Sequence, residues 1–162
     1  MDDADKRALI AALQADIARS VAVLTHAAED ARAAATHEEA RPENDKDTRA
    51  VEAAYLAGAQ ADRARELGRA AATLGSLQLR RFAPGEAISS TALVELTHEG
   101  KASWYFLSPE GGGTRVTLGD TAVQVISPRS ALGRELLGKS EGDEVEVAIQ
   151  GAMRGYAIGR VR

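Results

Sequence analysis

From about residue 5 to residue 36 the chain carries neither proline nor glycine, and apolar residues return on a seven-residue step at Ile10, Ile17, Leu24 and Ala31. Leu13, Val21, Ala27 and Ala28 widen that stripe. The spacing predicts a long amphipathic helix, roughly 48 Å at 1.5 Å per residue. A second helical run is predicted over about 48–74, with a seam of small residues: Ala50, Ala54, Ala57, Ala61, Ala64, Gly68 and Ala71. Small residues let two backbones approach closely. Between the runs, Pro42 breaks a helix, while Asn44, Asp45 and Asp47 favour turns or an N-cap. A short connection makes two long helices antiparallel neighbours, so the seams are expected to close into a two-stranded coiled-coil hairpin. An ordinary bundle would need a further helix to cover them, and the pattern supplies none.

After a joint at about 75–85 the period changes to two. Residues 91–97 alternate, His98-Glu99-Gly100-Lys101 reads as a hairpin turn, and 103–107 is an aromatic-rich return strand. Pro109-Glu-Gly-Gly-Gly113 reads as a flexible loop. Strands are expected at 114–118, 121–126, 144–149 and 156–161, the last two joined through Gln150-Gly151, with a short helix over 131–137 capped by Ser130. The fold class is therefore α+β: a coiled-coil hairpin over 1–75 with a tip at about 37–48, then an antiparallel sheet with one short helix over 76–162.

Charge and composition change at the same joint. Residues 1–75 hold 14 acids against 10 bases, while 76–162 hold ten of each, so the net charge of −4 arises wholly in the first part. That balance argues against a basic protein that coats nucleic acid. Five aromatics, Phe82, Trp104, Tyr105, Phe106 and Tyr156, fall after the joint. Cysteine is absent, which excludes disulfides, thiolate metal sites and cysteine nucleophiles. The start, MDDADKR, lacks a basic region followed by an apolar run, and no stretch is expected to reach the ~18 apolar residues of a membrane span. A cytoplasmic protein without a membrane partner is the expectation.

The tip is the segment richest in chemistry. Glu38, Glu39, Glu43, Asp45 and Asp47 stand against Arg41 and Lys46, a local net charge of −3. Carboxylates two or three residues apart on a turn can converge on a hard divalent cation, and magnesium takes one or two of them while keeping waters or substrate oxygens. The plain alternative is a solvated turn whose acids maintain solubility. Other sites are weaker. His26, His37 and His98 lie far apart, Gly111-Gly-Gly113 precedes a strand rather than the helix a phosphate loop requires, and Ser103, Ser108 and Ser130 lack a nucleophile-elbow context. Trp104 and Phe106 share one strand face and Tyr105 the other, as core residues do more often than the walls of a prolyl-isomerase pocket.

The run Ile126-Ser-Pro-Arg-Ser-Ala-Leu-Gly-Arg-Glu-Leu-Leu-Gly-Lys139, followed by Glu141-Gly-Asp-Glu-Val-Glu-Val147, resembles the Ser-Pro, leucine-rich turn, Gly-Lys and Gly-Asp-x-Val signature of the GreA/GreB transcript-cleavage factors. The resemblance covers nearly the whole chain. It implies an FKBP-like second domain that grips the rim of the secondary channel of bacterial RNA polymerase through Ser127, Pro128 and Arg129. It also implies that the hairpin enters the channel and presents its acids to the catalytic magnesium. The polymerase would cut backtracked RNA itself, so the factor is an accessory rather than an enzyme, binds no cofactor alone, and shares magnesium within the complex. Arg63, Arg65 and Arg69 would steer the RNA 3′ end, although plain helix solvation is the favoured account of such arginines. A monomer is expected. The tip departs from the family's Gly-Asp, two residues, then Glu-Asn-Ala-Glu-Tyr: here Pro42-Glu-Asn-Asp-Lys-Asp-Thr-Arg49 sets Asp45 or Asp47 near the usual aspartate and Arg49 where a glutamate stands. Asp45 and Asp47 form the favoured functional pair, with Glu43 in reserve, and the altered tip marks a divergent subclass. Cleavage stimulation and inhibition of polymerase both need acids at this place and stay open. A prolyl isomerase and a coiled-coil adaptor are the readings from other classes.

Overall fold

The computed structural model describes residues 3–39 and 46–162. The first two helices are α1, Asp3–Glu39, and α2, Lys46–Ser76. Alanine, the best helix former, supplies much of both. In the unit formed by Gln14–Ala72, the sheltered side of α1 runs through Gln14, Ile17, Val21, Leu24, Ala27, Ala28 and Ala31, the expected stripe. That of α2 runs through Ala53, Ala57, Ala61, Ala64, Leu67 and Ala71. Ala54 and Gly68, expected in the seam, face solvent instead. Strict alternation of four and three gives the 3.5-residue period of the expected seam, whereas the observed steps from Ala53 to Ala71 average the 3.6 residues of a straight helix, which carries the line through Ala53 and Leu67 instead. The helices run antiparallel, the Gln14 side-chain amide donating to the Ala71 carbonyl at 3.2 Å.

Within Ala4–Ala34 an 18-residue window reaches a mean hydropathy of 1.5, so α1 is long and apolar enough, by length and composition, to cross a membrane. This corrects the expectation that no segment is. Counting uninterrupted apolar residues stops at Gln14, Asp16 and Arg19, whereas alanine raises a mean.

The second unit joins 73–162 with the start of α1 as far as Leu13. Its elements are β1 (Leu93–His98), β2 (Lys101–Leu107), β3 (Arg115–Leu118), β4 (Thr121–Ile126), α3 (Ala131–Leu136), β5 (Glu144–Ile149) and β6 (Ala152–Val161), in the sheet order β3-β4-β2-β1-β6-β5. Two hairpins turn on two residues of positive φ, Glu99-Gly100 (49° and 75°) and Gln150-Gly151 (51° and 82°), the geometry that matches strand twist. The second turn pairs Ile149 directly with Ala152, which is why β6 begins four residues earlier than the sequence pattern suggests. The sheet is mixed rather than wholly antiparallel, because β2 and β4 pair in parallel from Trp104↔Val123 to Leu107↔Ile126. The loop after β2 carries the chain to β3 at the sheet edge, so β4 returns inward alongside β2 in the same direction.

Alternation divides the buried residues between the two faces. Val94, Leu96, Leu107, Val145, Val147 and Ile158 form one core with Leu132 and Leu136 of α3. Phe106, Val123 and Val125, on the other face, are fully buried as well. The root of α1 belongs to this unit. Lys6, Leu9 and Leu13 are buried, the Lys6 Nζ donates to the Arg80 carbonyl at 2.5 Å, and it lies 4.8 Å from the centre of the Phe82 ring. Thr91, buried with φ 69°, accepts from the Arg80 N–H at 3.2 Å. A β-branched residue in that region costs roughly 1–3 kcal/mol, offset here by the anchoring of residue 80.

Beside Trp104, Arg160 donates two hydrogen bonds to Glu95 at 2.8 and 2.9 Å and lies 5.2 Å over the indole. That hydrogen bond, with the Arg160 charge, holds the Glu95 carboxyl below its ordinary value against the opposing effect of burial. A depressed folded value adds stability that is present above the unfolded carboxylate range and is lost as pH falls through the folded one. Glu95→Gln should therefore reduce stability near neutrality by less than about 1 kcal/mol, since Arg160 is open to solvent and salt, and so lower the melting temperature slightly. The difference should vanish in melts run at acid pH.

Candidate functional site

The turn after β4 is built by its own residues. Ser127 to Ser130 closes a β-turn, with the Ser130 N–H donating to the Ser127 carbonyl at 2.9 Å and Pro128 at the position whose fixed φ suits it. The Ser127 hydroxyl accepts from the Arg129 N–H at 3.2 Å. Ser130 caps α3 as expected: its hydroxyl donates to the Ser127 carbonyl at 2.7 Å and accepts from the Gly133 N–H at 3.0 Å. Arg134 reaches back to the Arg129 carbonyl at 2.8 Å. The result is a fixed turn with Ser127 and Pro128 half-buried and the Arg129 side chain exposed.

Two glycines let the backbone fold this tightly, and sequence reasoning did not single them out for it. A Cβ on Gly133 would lie 2.1 Å from the Ser127 carbonyl oxygen, and one on Gly112 3.2 Å from the Ser127 nitrogen. Ser127 is thus held between α3 and the 109–113 loop, which is no loose linker: the Gly113 N–H donates to the Val125 carbonyl at 2.9 Å. The signal was legible in principle, since a glycine inside a helix costs about 1 kcal/mol and marks a close approach. Gly133→Ala should destabilise the unit by about 1–3 kcal/mol, measured by urea unfolding. A variant as stable as the parent would show that the turn yields without cost.

Of the tip acids, Glu43 and Asp45 lie outside the described residues. Glu38 and Glu39 end α1 and Asp47 lies in the first turn of α2, their side chains also outside what is described. The three arginines of α2 do not form one patch. Arg65 and Arg69 share a side of the helix, while Arg63, two residues from Arg65, points elsewhere. Arg63 pairs with Glu66 at 2.5 Å and Arg65 with Asp62, so acids of the same helix already balance these charges.

The other candidates disperse. Among the described residues no three His, Asp or Glu side chains gather as a metal site would require. His26 pairs with Asp30 at 3.5 Å, and His98 contacts the Gly155 carbonyl at 2.8 Å and the Tyr156 ring. Phe106 is core, Trp104 stacks with Arg160, and Tyr105 meets Tyr156 edge-on at 6.5 Å on the opposite face, its hydroxyl pushed up in pKa by burial. These rings do not converge on a pocket.

No family model matches the chain, and no curated protein matches it. Among solved structures it is similar to GreA factor homolog 1 (Gfh1) of Thermus thermophilus, at 16% identity over 92% of this chain and 94% of that one, with a TM-score of 0.39. Gfh1 of Thermus aquaticus gives 18% identity over 92% and 90%, TM-score 0.38. The prokaryotic transcription elongation factor GreA/GreB from Nitrosomonas europaea gives 20% identity over 59% and 77%, TM-score 0.37.

Proposed function

We propose that this chain is a transcription elongation factor that binds bacterial RNA polymerase through its secondary channel and acts on backtracked or paused complexes. It would stimulate transcript cleavage by helping to hold the second catalytic magnesium. The observation that carries the reading is an antiparallel two-helix hairpin, α1 and α2, whose connecting end holds five acids within residues 38–47. Acids at the end of a hairpin can reach a site inside a channel, which a solubilising patch has no need to do. The Ser127–Pro128–Arg129 turn, in the part of the sequence that resembles the family signature, is the proposed grip on the channel rim.

Carboxylate oxygens suit a hard divalent cation. Asp45 and Asp47, with Glu43, supply two or three carboxylates, which leave an octahedral shell incomplete, so magnesium is shared with the polymerase and no tight site is expected in the free protein. When bound, the ion supplies charge stabilisation and water activation for phosphoryl transfer. The chain's own residues position carboxylates and hold the partner, which makes it an accessory to the polymerase, cytoplasmic and monomeric. Of Arg63, Arg65 and Arg69, proposed to steer the RNA 3′ end, Arg65 and Arg69 share a side of α2, and a phosphate, which positions without reading sequence, would have to displace Asp62 from Arg65.

Arg49, where the family has a glutamate, favours a second reading: a factor that occupies the channel and inhibits or retunes polymerase without cleavage. Incubating the factor with backtracked complexes and magnesium and sizing the RNA separates the two. Shortened transcripts support cleavage; slowed synthesis with intact transcripts supports inhibition; no binding and no effect ends both readings.

A further inference from the structure

The sheet sorts its charges by face. Val94, Leu96, Val145 and Val147 point to the α3 core, so alternation sets Glu95 of β1 and Glu144 and Glu146 of β5 on the opposite face. No strand places a carboxylate on the α3 face, which carries three cations beyond the core: Lys101 of β2, Arg115 of β3 and Arg154 of β6. Register joins them to one surface. Arg115 pairs with Gln124, and Gln124 with Tyr105. Lys101 pairs with His98, and Arg154 with the buried Val147, two residues from Tyr156. The Tyr156 ring lies 5.0 Å from His98 and 6.5 Å from Tyr105, which closes the row. All three cations are exposed, and among the described residues none has a carboxylate within ion-pair reach, whereas Arg80, Arg160 and Arg162 of the same unit each have one. Burial pushes the Tyr105 hydroxyl up in pKa, and the charges of Arg115 and Arg154 work the other way, so both are felt at that ring.

We propose that this face binds the phosphodiester backbone of a single nucleic-acid strand, with Lys101, Arg115 and Arg154 as its phosphate contacts. The residues are not those of the 127–129 turn or of α2, and the site stands whether or not the chain binds polymerase. Charge calls for an anion, and spacing selects which one. β3 and β6 are four strand steps apart, about 19 Å at the spacing of paired strands. A lone phosphate or carboxylate does not span that track, whereas a nucleic-acid strand carries a charge at every residue. Guanidinium and ammonium groups suit phosphate oxygens. The half-buried Tyr105 between them sets an aromatic ring beside the cations, as single-strand binding surfaces do and as an acidic peptide does not require. Such contacts hold a strand without reading its sequence.

The test is fluorescence anisotropy of the full chain with one labelled single-stranded sequence, made as RNA and as DNA, from low to rising salt. Binding is expected at low salt, with a log–log salt slope of about −2, since three contacts on a single strand contribute about 0.7 each. Lys101→Gln, Arg115→Gln and Arg154→Gln combined should weaken affinity about tenfold or more and flatten the slope. Arg160→Gln, which removes a cation paired with Glu95, should bind like the parent. Melting of the triple variant should match the parent, because the three side chains are exposed. No binding of either strand at low salt overturns the proposal, and so does a triple variant that binds no more weakly than Arg160→Gln. A polyglutamate peptide that displaces the strand at equal charge concentration also overturns it, and makes the occupant an acidic protein segment.

Discussion

Residues 76–162 expressed alone are expected to lack a cooperative fold, although every strand of the sheet lies within them. The reason is the root of α1. Leu9 and Leu13 are 0 and 2% exposed, and Leu74, at the end of α2, is 1% exposed, all within the unit that holds the sheet. Each buried leucine contributes about 1.5–3 kcal/mol, so three together approach the whole stability of a small domain, about 5–15 kcal/mol. The cut also strips Lys6 from Phe82 and from the Arg80 carbonyl. Near-ultraviolet circular dichroism and amide dispersion would report the loss of fixed packing. In the full chain, Leu9→Ala should cost about 2–5 kcal/mol in urea unfolding. A 76–162 fragment that melts sharply near the temperature of the parent would sink this expectation.

The same residues show why the sequence was readable only in part. A seven-residue step and freedom from proline and glycine announce α1 and α2, and period-two alternation with Gly-containing turns announces most strands, because these patterns are local. The packing of Lys6, Leu9 and Leu13 on a unit 60 and more residues away leaves no local trace; Leu13 reads equally well as hairpin seam. The parallel pairing of β2 with β4 is hidden too, since each strand looks alike in either orientation. In the candidate site, Ser130 was legible as a cap because a serine before a helix has one economical role, and Gly133 left a trace as a glycine inside a helix, whereas the closeness of Gly112 to Ser127 depends on the 109–113 loop meeting the turn after β4.

Asp45→Asn with Asp47→Asn should abolish the effect on transcript cleavage yet change polymerase affinity little, since the proposed grip lies at Ser127–Pro128–Arg129. Amides retain the shape of the side chain but lose the charge that a hard cation requires. Stability should scarcely move: Asp47 lies in the first turn of α2, where loss of a carboxylate near the helix N-terminus costs about 0.3–1 kcal/mol. Activity should rise with magnesium only when factor, polymerase and RNA are together, and calorimetry of the free chain with magnesium should show no tight binding. A double variant that cleaves like the parent removes these carboxylates from the chemistry. A parent chain that binds, leaves transcripts intact and slows synthesis, with the slowing lost on this substitution, assigns the acids to inhibition.

Because β2 and β4 run the same way, both strands deliver the chain to the same end of the sheet, where the Ser108 N–H meets the Ile126 carbonyl at 3.0 Å. The loop leaving β2 then lies with one glycine against Ser127 and its neighbour Gly111 against the Leu13 side chain. A load applied at Ser127 would therefore reach the start of α1 across two adjacent residues, the last step falling on the Leu13 side chain. The turn that would bear a partner and the first residues of α1 thus share one short link within a single unit.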